Sequence, residues 1–276
     1  MELFLDNEIN SEFEQQGFVV LPFLDRLELS ELNKIFVEDY AVDYKPDSGF
    51  FYSLMCDDVA KKSRTAKKIN DLIKTKASTI FKDFKTCAES FLVKPPSGKN
   101  LFIHQDWSHT DESKHSIATL WCPLLEATLE NGTLCVLQGS HRFFKNHRSE
   151  TYPTFRIAID SEIEKFLLPL IVPLGSAVFF HPALWHGSYC NNTTESRVIA
   201  TALILPVEAP LIHYFRKDTN TALCLEMKSD YLLYQLKNLS EGKIPNSFTA
   251  FRETPYSHQQ ISSNQLIASL TSSITK

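Results

Sequence analysis

Residues 91–206 are cut into short apolar runs, each closed by a turn residue, and that rhythm is incompatible with a helical bundle. The runs are 90–93, 101–103, 117–121, 134–137, 170–174, 177–180 and 198–205. Asn131-Gly132, Gly139-Ser140, Leu174-Gly175 and Asn191-Asn192 supply turns between them. Runs this short and this closely spaced build an antiparallel sandwich or barrel. Residues 166–185 contain no Asp, Glu, Lys or Arg over a length that can cross a bilayer. Pro169, Pro173, Gly175 and His181-Pro182 would break a spanning helix, so buried strands joined by turns are expected there.

The flanks read differently. Residues 12–16 lead into the β-branched run GFVVLPFL (17–24), a strand, after which Asp25 caps a helix to about Tyr40. A second helix is expected over about 59–84, with Ile69, Leu72, Ile73, Ile80 and Phe84 at helical spacing. Its basic cluster, Lys61, Lys62, Arg64, Lys67 and Lys68, reads as a solvated face. Past Pro210 the chain is expected to be partly helical (221–239), and its last stretch, rich in Ser, Thr and Gln, a mobile end. Without a repeat or a linker, residues 1–276 are expected to form one domain: helical support (1–90), a β core (91–210) and a partly helical C-terminal segment (211–276).

A chain of 276 residues, 43% hydrophobic and 22% charged, can bury a core without disulfides or a structural metal. The net charge of -5 offers no overall positive field, so neither nucleic acid nor a membrane surface is an expected partner. The 6 cysteines include no CxxC pair, and MELFLDNEIN carries acids where a secretory signal is basic and apolar. A reducing, cytoplasmic setting is expected.

His104-Gln-Asp106 ends the strand-like run LFIHQDW. Side chains at i and i+2 of a strand share a face, so one imidazole and one carboxylate can meet one metal ion. They are two thirds of the two-histidine, one-carboxylate set that holds iron(II) and leaves coordination positions open. The second H-x-D of the chain, His109-Thr-Asp111, lies in the polar stretch SHTDESKH and reads as a surface or rim loop. His181 and His186 compete for the remaining ligand position. Arg197 opens another apolar strand eleven residues after His186, and a buried arginine needs an anion, either a protein acid or a bound carboxylate.

Four blocks carry a family resemblance: His104-Gln-Asp106-Trp107, Trp121-Cys-Pro-Leu, Glu130-Asn-Gly-Thr-Leu-Cys-Val-Leu-Gln-Gly-Ser-His141, and His186-Gly-Ser188 with Arg197. Over residues 91–210 the chain resembles the phytanoyl-CoA dioxygenase-like branch of the iron(II)/2-oxoglutarate-dependent dioxygenases, and GFVVLPFL followed by a helix is similar to the family's opening. The resemblance implies a mainly β fold with flanking helices around a double-stranded β-helix (jelly-roll, cupin-like) core. It implies that His104, Asp106 and His186 bind iron(II), and that Arg197, aided by Ser188, holds the distal carboxylate of 2-oxoglutarate beside Trp121. His181 is then a core or pocket histidine bonded to backbone. Ser176 departs from the Asp that relatives often carry there, at a position that is not a metal ligand. The activity implied is hydroxylation of an unactivated C–H bond of a small molecule, consuming O2 and 2-oxoglutarate and releasing succinate and CO2. Because Asp106 is a carboxylate, no coordination position is freed for halide. The alternative is a cupin-like barrel that binds a ligand or metal without turnover. Substrate contacts are expected around the barrel mouth, at 107–115 and 142–152, from Trp107, Glu112, Arg142 and Arg148, with Lys145 and His147 in the same basic group. Trp107 and Trp185, each beside a proposed ligand, either pack in the core or wall the chamber, His141 stabilises a turn, and Lys94 is either a surface cation or a pocket residue.

Overall fold

In the computed structural model, which describes residues 2–41, 44, 50–144, 146–153, 156–228, 230–244, 252–256, 259 and 261–274, capping chemistry sets the first helices. The Asp6 carboxylate accepts from the backbone of Glu8 and Ile9 to start α1 (Asn7–Gln16), and Gly17, at φ 84, ends it in the left-handed region. The apolar run that follows is β1 (Phe18–Pro22). Asp25 and Glu28 form a reciprocal capping box at the start of α2 (Arg26–Tyr40). Next come β2 (Phe51–Tyr52), α3 (Val59–Ala77) and β3 (Phe84–Lys94). The β region holds β4 (Leu101–His104), β5 (Ala118–Pro123), β6 (Leu134–Leu137), β7 (Leu167–Pro169), β8 (Ser176–Phe180), β9 (His186–Ser188) and β10 (Arg197–Pro206). β11 (Leu211–Arg216), β12 (Thr221–Met227), α4 (Tyr231–Ser240), β13 (Arg252–Pro255) and α5 (Ser263–Ile274) follow.

Two antiparallel sheets make the jelly-roll: a six-stranded sheet in the order β1-β8-β5-β10-β3-β2 and a four-stranded sheet in the order β4-β9-β6-β7. A third sheet, β11-β12-β13, stands beside them. Alternation along each strand assigns the faces. Trp121, Val178, Phe180 and Ile199 of the large sheet pack against Leu134 and Val136 of the small one. Their neighbours Leu120, Cys122, Phe179 and Ala200 point the other way, onto Phe13, Leu32, Ile35, Ile69 and Ile73 of the helices. Both faces of the large sheet are therefore covered, which is why β5 and β10 are buried at every residue and read as unbroken apolar runs.

Several expectations need correction. The second helix stops at Ala77, where the hydroxyls of Ser78 and Thr79 donate to the carbonyls of Thr75 and Lys76, and the chain is already in β3 at Phe84. β3 begins well before residue 90, its polar Lys85, Thr86 and Glu89 being tolerated because β10 pairs along nearly its whole length. Residues 170–174 form no strand beyond a bridge from Val172 to Ala127; the strand is β7, immediately before. Residues 221–227 are strand, not helix, in a hairpin with β11. The C-terminal end carries α5, whose Leu266 and Leu270 are buried against Ile103, Cys135 and Trp185. Lys62 is not solvated: it is 6% exposed and its ammonium donates to the Leu54 carbonyl at 3.1 Å. Its neighbours Arg64 and Lys68 pair with Asp39, tying α3 to α2. Among the described residues no helix is long and apolar enough to cross a membrane.

Candidate active site

His104 is the last residue of β4 and His186 the first of β9, and they are direct partners across the ladder, which sets their rings 4.5 Å apart. β9 lies so close to β4 that a Cβ on Gly187 would fall 2.6 Å from the Leu101 carbonyl oxygen, so this position between His186 and Ser188 admits only glycine. Asp106 follows β4 on a segment pinned from two sides: its backbone N–H donates to the Pro182 carbonyl at 2.9 Å, and the Gln105 amide donates to the Ala183 carbonyl at 2.6 Å. Asp106 Oδ1 thereby lies 3.9 Å from His104 Nε2 and 3.7 Å from His186 Nε2. Each ring uses Nδ1 to donate to a carbonyl, Phe102 at 2.9 Å and Leu184 at 2.8 Å, so both Nε2 lone pairs are free and face the carboxylate. Burial, and secondarily the neighbouring His186, holds His104 down to about 4, a neutral imidazole at neutral pH. Three ligand atoms within 4.8 Å, with fixed tautomers, are a donor set for one divalent ion.

Deeper in the barrel two cations lie side by side. Lys94 and Arg197 are direct cross-strand partners of β3 and β10, exposed by 2% and 3%. Lys94 Nζ donates to Ser188 Oγ at 2.7 Å and also to the Tyr189 carbonyl, which leaves the Ser188 hydroxyl proton free to donate elsewhere. Arg197 donates one Nη1–H to the Gly132 carbonyl, its guanidinium lies 5.2 Å from the centre of the Trp121 ring, and its Nε has no partner. Gly132 is itself at φ +75, where an added Cβ would meet the Tyr189 carbonyl oxygen at 2.4 Å. Burial lowers Arg197 to about 9, and burial plus the Arg197 charge lowers Lys94 to about 7. Among the described residues neither pairs with a carboxylate, an arrangement that is costly unless an anion arrives.

One cavity of about 730 Å³ joins these parts. It is lined by the three ligand residues, Trp121, Ser188 and Arg197, and by Trp107 and Trp185. The expected substrate residues divide. Trp107 faces the cavity. Arg148 reaches it too, but three of its five N–H donors hold protein groups: Nε the Asp106 carbonyl at 2.6 Å, Nη1 the Asn146 carbonyl at 3.0 Å and Nη2 Glu112. Glu112 is thus the counter-ion of Arg148 and does not line the cavity. Arg142 is exposed outside the cavity, its Nε donating to the Gly139 carbonyl at 3.2 Å. Lys145 lies outside the described residues. His181 Nδ1 accepts from the Ala183 N–H at 3.0 Å, and His141 contacts the Glu14 carbonyl at 3.0 Å. Of the two readings left open for Lys94, the buried one holds; His109, expected in a surface or rim loop, is buried; and the walls from both flanks, Phe50, Tyr52, Leu54 and Met55 on one side and Leu232 and Leu236 of α4 on the other, carry no local sequence signal.

Because Arg148 holds the Asp106 backbone, Arg148→Met is expected to weaken iron(II) binding by about 10- to 100-fold, the usual consequence of losing a group that orients a metal ligand. Glu112→Gln, which keeps the contact and removes the charge, should cost less. Arg142→Ala should leave metal affinity unchanged; anaerobic calorimetric titration of the three variants separates these effects.

A jelly-roll that brings histidines from two facing strands of its small sheet together with an aspartate just beyond β4 has the double-stranded β-helix fold and a donor set that could hold a metal ion. More narrowly, residues 13–199 match the phytanoyl-CoA dioxygenase (PhyH) family, and the chain belongs to that family. It is 33% identical to "Probable alpha-ketoglutarate-dependent hypophosphite dioxygenase" of Stutzerimonas stutzeri over 111 residues, 38% of this chain and 39% of that one. It is 32% identical to the peroxisomal phytanoyl-CoA dioxygenase of Homo sapiens over 117 residues, 38% of this chain and 34% of that one. These matches span well under half the length of either relative. Among solved structures, the non-heme alpha ketoglutarate dependent carbocyclase SnoK from nogalamycin biosynthesis superposes with a TM-score of 0.58 at 17% identity, covering 75% of this chain and 86% of that one.

Proposed function

We propose that the protein is an iron(II)- and 2-oxoglutarate-dependent oxygenase that hydroxylates a small molecule, with the balance R–H + O2 + 2-oxoglutarate giving R–OH + succinate + CO2. One observation carries the reading: a three-ligand donor set opens onto the same cavity as a buried guanidinium and a lysine-braced serine, with no carboxylate among the described residues paired to them. The hypophosphite relative and SnoK, both described as alpha-ketoglutarate dependent, support it. His104, Asp106 and His186 would hold the metal. Bound there, iron(II) with 2-oxoglutarate supplies the chemistry that activates O2. Arg197 and Ser188 would fix the distal carboxylate, the guanidinium by charge-assisted hydrogen bonds and the hydroxyl by the proton that Lys94 leaves free. Trp121 holds the guanidinium plane from one face, and Trp107 and Trp185 keep water from the reacting centre. The relatives and the structural neighbour differ in what they act on, from hypophosphite to a carbocyclisation, so neither fixes the substrate. We further propose a reducing, cytoplasmic setting, supported by six free cysteines.

The competing view, a ligand-binding barrel without turnover, would be favoured by a protein carboxylate on Arg197, and the observed partner is the Gly132 carbonyl. Anaerobic addition of iron(II) and 2-oxoglutarate decides between them: a weak visible charge-transfer band followed, on admitting O2, by succinate formation is expected. A protein that binds both and forms no succinate is a binding module.

Lys94 gives the co-substrate a pH signature. In the free protein its ammonium titrates at about 7, and a bound dianion raises that value. Below about pH 7 the lysine is already charged and affinity should be level; above it, binding must take up a proton and affinity should fall, by at most about tenfold per pH unit. Lys94→Met should bind 2-oxoglutarate more weakly at pH 6 and lose the slope between pH 7 and 8.5. Titration of the zinc-loaded protein with 2-oxoglutarate across this range measures both.

A further inference from the structure

Most of the chamber wall is apolar, including Tyr52, Leu54, Leu203, Leu232 and Leu236. Beyond the donor set and the Arg197 region, polar residues also line it, among them Asn146, His147, Ser149, Glu150 and Arg156, and one of them, His109, combines deep burial with an unpartnered ring nitrogen. His109, three residues beyond Asp106, lines the cavity while being 8% exposed, and its Nδ1 has no hydrogen-bond partner. Its carbonyl accepts from the Ile212 N–H at 2.8 Å, which brings up the next residue, His213. His213 is 0% exposed, neither of its ring nitrogens has a partner, and its ring packs edge-on against Trp107 at 5.2 Å and Phe215 at 4.6 Å. A buried nitrogen left without a partner is destabilising, and a bound polar group would remove that cost. The hydrogen bonds of nearby Arg148 go to Asp106, Asn146 and Glu112, and none goes to either ring. His109 thus presents an unmet ring nitrogen at the chamber wall, while His213 lies buried next to it and does not line the cavity.

The kind of group follows from hydrogen-bond inventory. Burial keeps both rings neutral, His109 falling to about 4 and His213 to about 3, and a neutral imidazole offers one donor and one acceptor. A hydroxyl or carboxamide also both donates and accepts. A carboxylate only accepts, an ammonium only donates, and either would leave one side of the pair unmet. We propose that His109, backed by His213, recognises a neutral hydroxyl or carboxamide group borne on an otherwise apolar substrate. This deepens the oxygenase reading and rests on it in taking this cavity as the substrate chamber.

The test uses five probes that share a cyclohexyl body: ethylcyclohexane, 2-cyclohexylethanol, cyclohexylacetamide, cyclohexylacetate and 2-cyclohexylethylamine. All 3 tryptophans of the chain, Trp107, Trp121 and Trp185, line the chamber, so quenching of intrinsic fluorescence in the full-length, metal-free protein reads binding directly. The alcohol and the amide should bind about tenfold tighter than the other three, one neutral hydrogen bond's worth. The carboxylate is the sharpest rival, because Arg156 also lines the cavity, 4.7 Å over the Phe102 ring. His109→Phe should erase the preference while leaving hydrocarbon affinity at least as high, and His109→Gln, which still donates and accepts, should keep most of it. Preference for the carboxylate, the amine or the hydrocarbon in the wild-type protein overturns the inference, as do equal affinities, no binding by any probe, or an unchanged preference in His109→Phe. Succinate formation by the same preparation with iron(II), 2-oxoglutarate and O2 is scored separately. A protein that turns over without the preference loses this inference alone, and one that shows the preference without turnover loses the oxygenase reading alone.

Discussion

Asp106→Ala is expected to abolish iron(II)-dependent succinate formation while the protein stays folded. The three ligand atoms converge because the β4–β9 ladder sets the two imidazoles opposite one another and the segment after β4 carries the carboxylate to them. That segment is held through its backbone, by Pro182 on the N–H and Arg148 on the carbonyl, so deleting the side chain removes the donor and leaves its support. Two imidazoles would remain, with no carboxylate to offset a dication, on a site that then presents only two donors. His104→Ala should behave in the same way. His186→Ala should add a stability loss, because its ring is 5% exposed and packs on Phe180 at 4.7 Å. Asp111→Ala is the control: its carboxylate is engaged with Lys114 and Ser113, away from the donor set. Anaerobic calorimetry with iron(II) and a thermal melt on each variant suffice. Wild-type iron affinity in Asp106→Ala, or a lost site in Asp111→Ala, would move the metal centre elsewhere.

The parts of this site that could be read from the sequence are those in which local geometry alone brings residues together. His104 and Asp106 are two positions apart at a strand end, and period-two alternation needs no partner to put them on one side. His186 and Arg197 were reached only through the order of the blocks in a resemblance, since nothing local chooses His186 over His181. Lys94 could not be resolved because its burial comes from pairing with Arg197 a hundred residues later. His109 was assigned to a rim loop on the polarity of its neighbours. The structure buries it by laying that stretch along β11, whose Ile212 bonds to its carbonyl. The same limit explains the misread stretch 221–227: Thr-Ala-Leu-Cys-Leu-Glu-Met suits helix or strand by composition, and the hairpin with β11 decides. Arg142 and Arg148 look alike as members of one basic group, yet one faces solvent and the other ties the Asp106 carbonyl to Asn146 and Glu112.

Arg197→Lys is expected to raise the Michaelis constant for 2-oxoglutarate by about 10- to 150-fold, the range that corresponds to losing one charge-assisted hydrogen bond of about 1.5–3 kcal/mol. The guanidinium starts the buried strand β10, 3% exposed, with Nη1 committed to the Gly132 carbonyl and Nε still free to donate. A lysine there keeps a charge but not the planar fork, and it would stand beside Lys94, already held near neutrality by burial and by the charge at position 197. Two ammonium groups in that space favour one of them losing its proton, so the deficit in Arg197→Lys should widen above pH 7. Arg197→Ala should raise the constant further, yet it relieves the charge on Lys94, whose pKa should climb back toward its usual range. The slope of affinity with pH between 7 and 8.5 should therefore flatten in Arg197→Ala and steepen in Arg197→Lys. Steady-state kinetics over that pH range, with 2-oxoglutarate varied and succinate measured, distinguishes the two variants. Unchanged constants in both would remove Arg197 from co-substrate binding and return the buried pair of cations to the competing view, a barrel that holds some other anion.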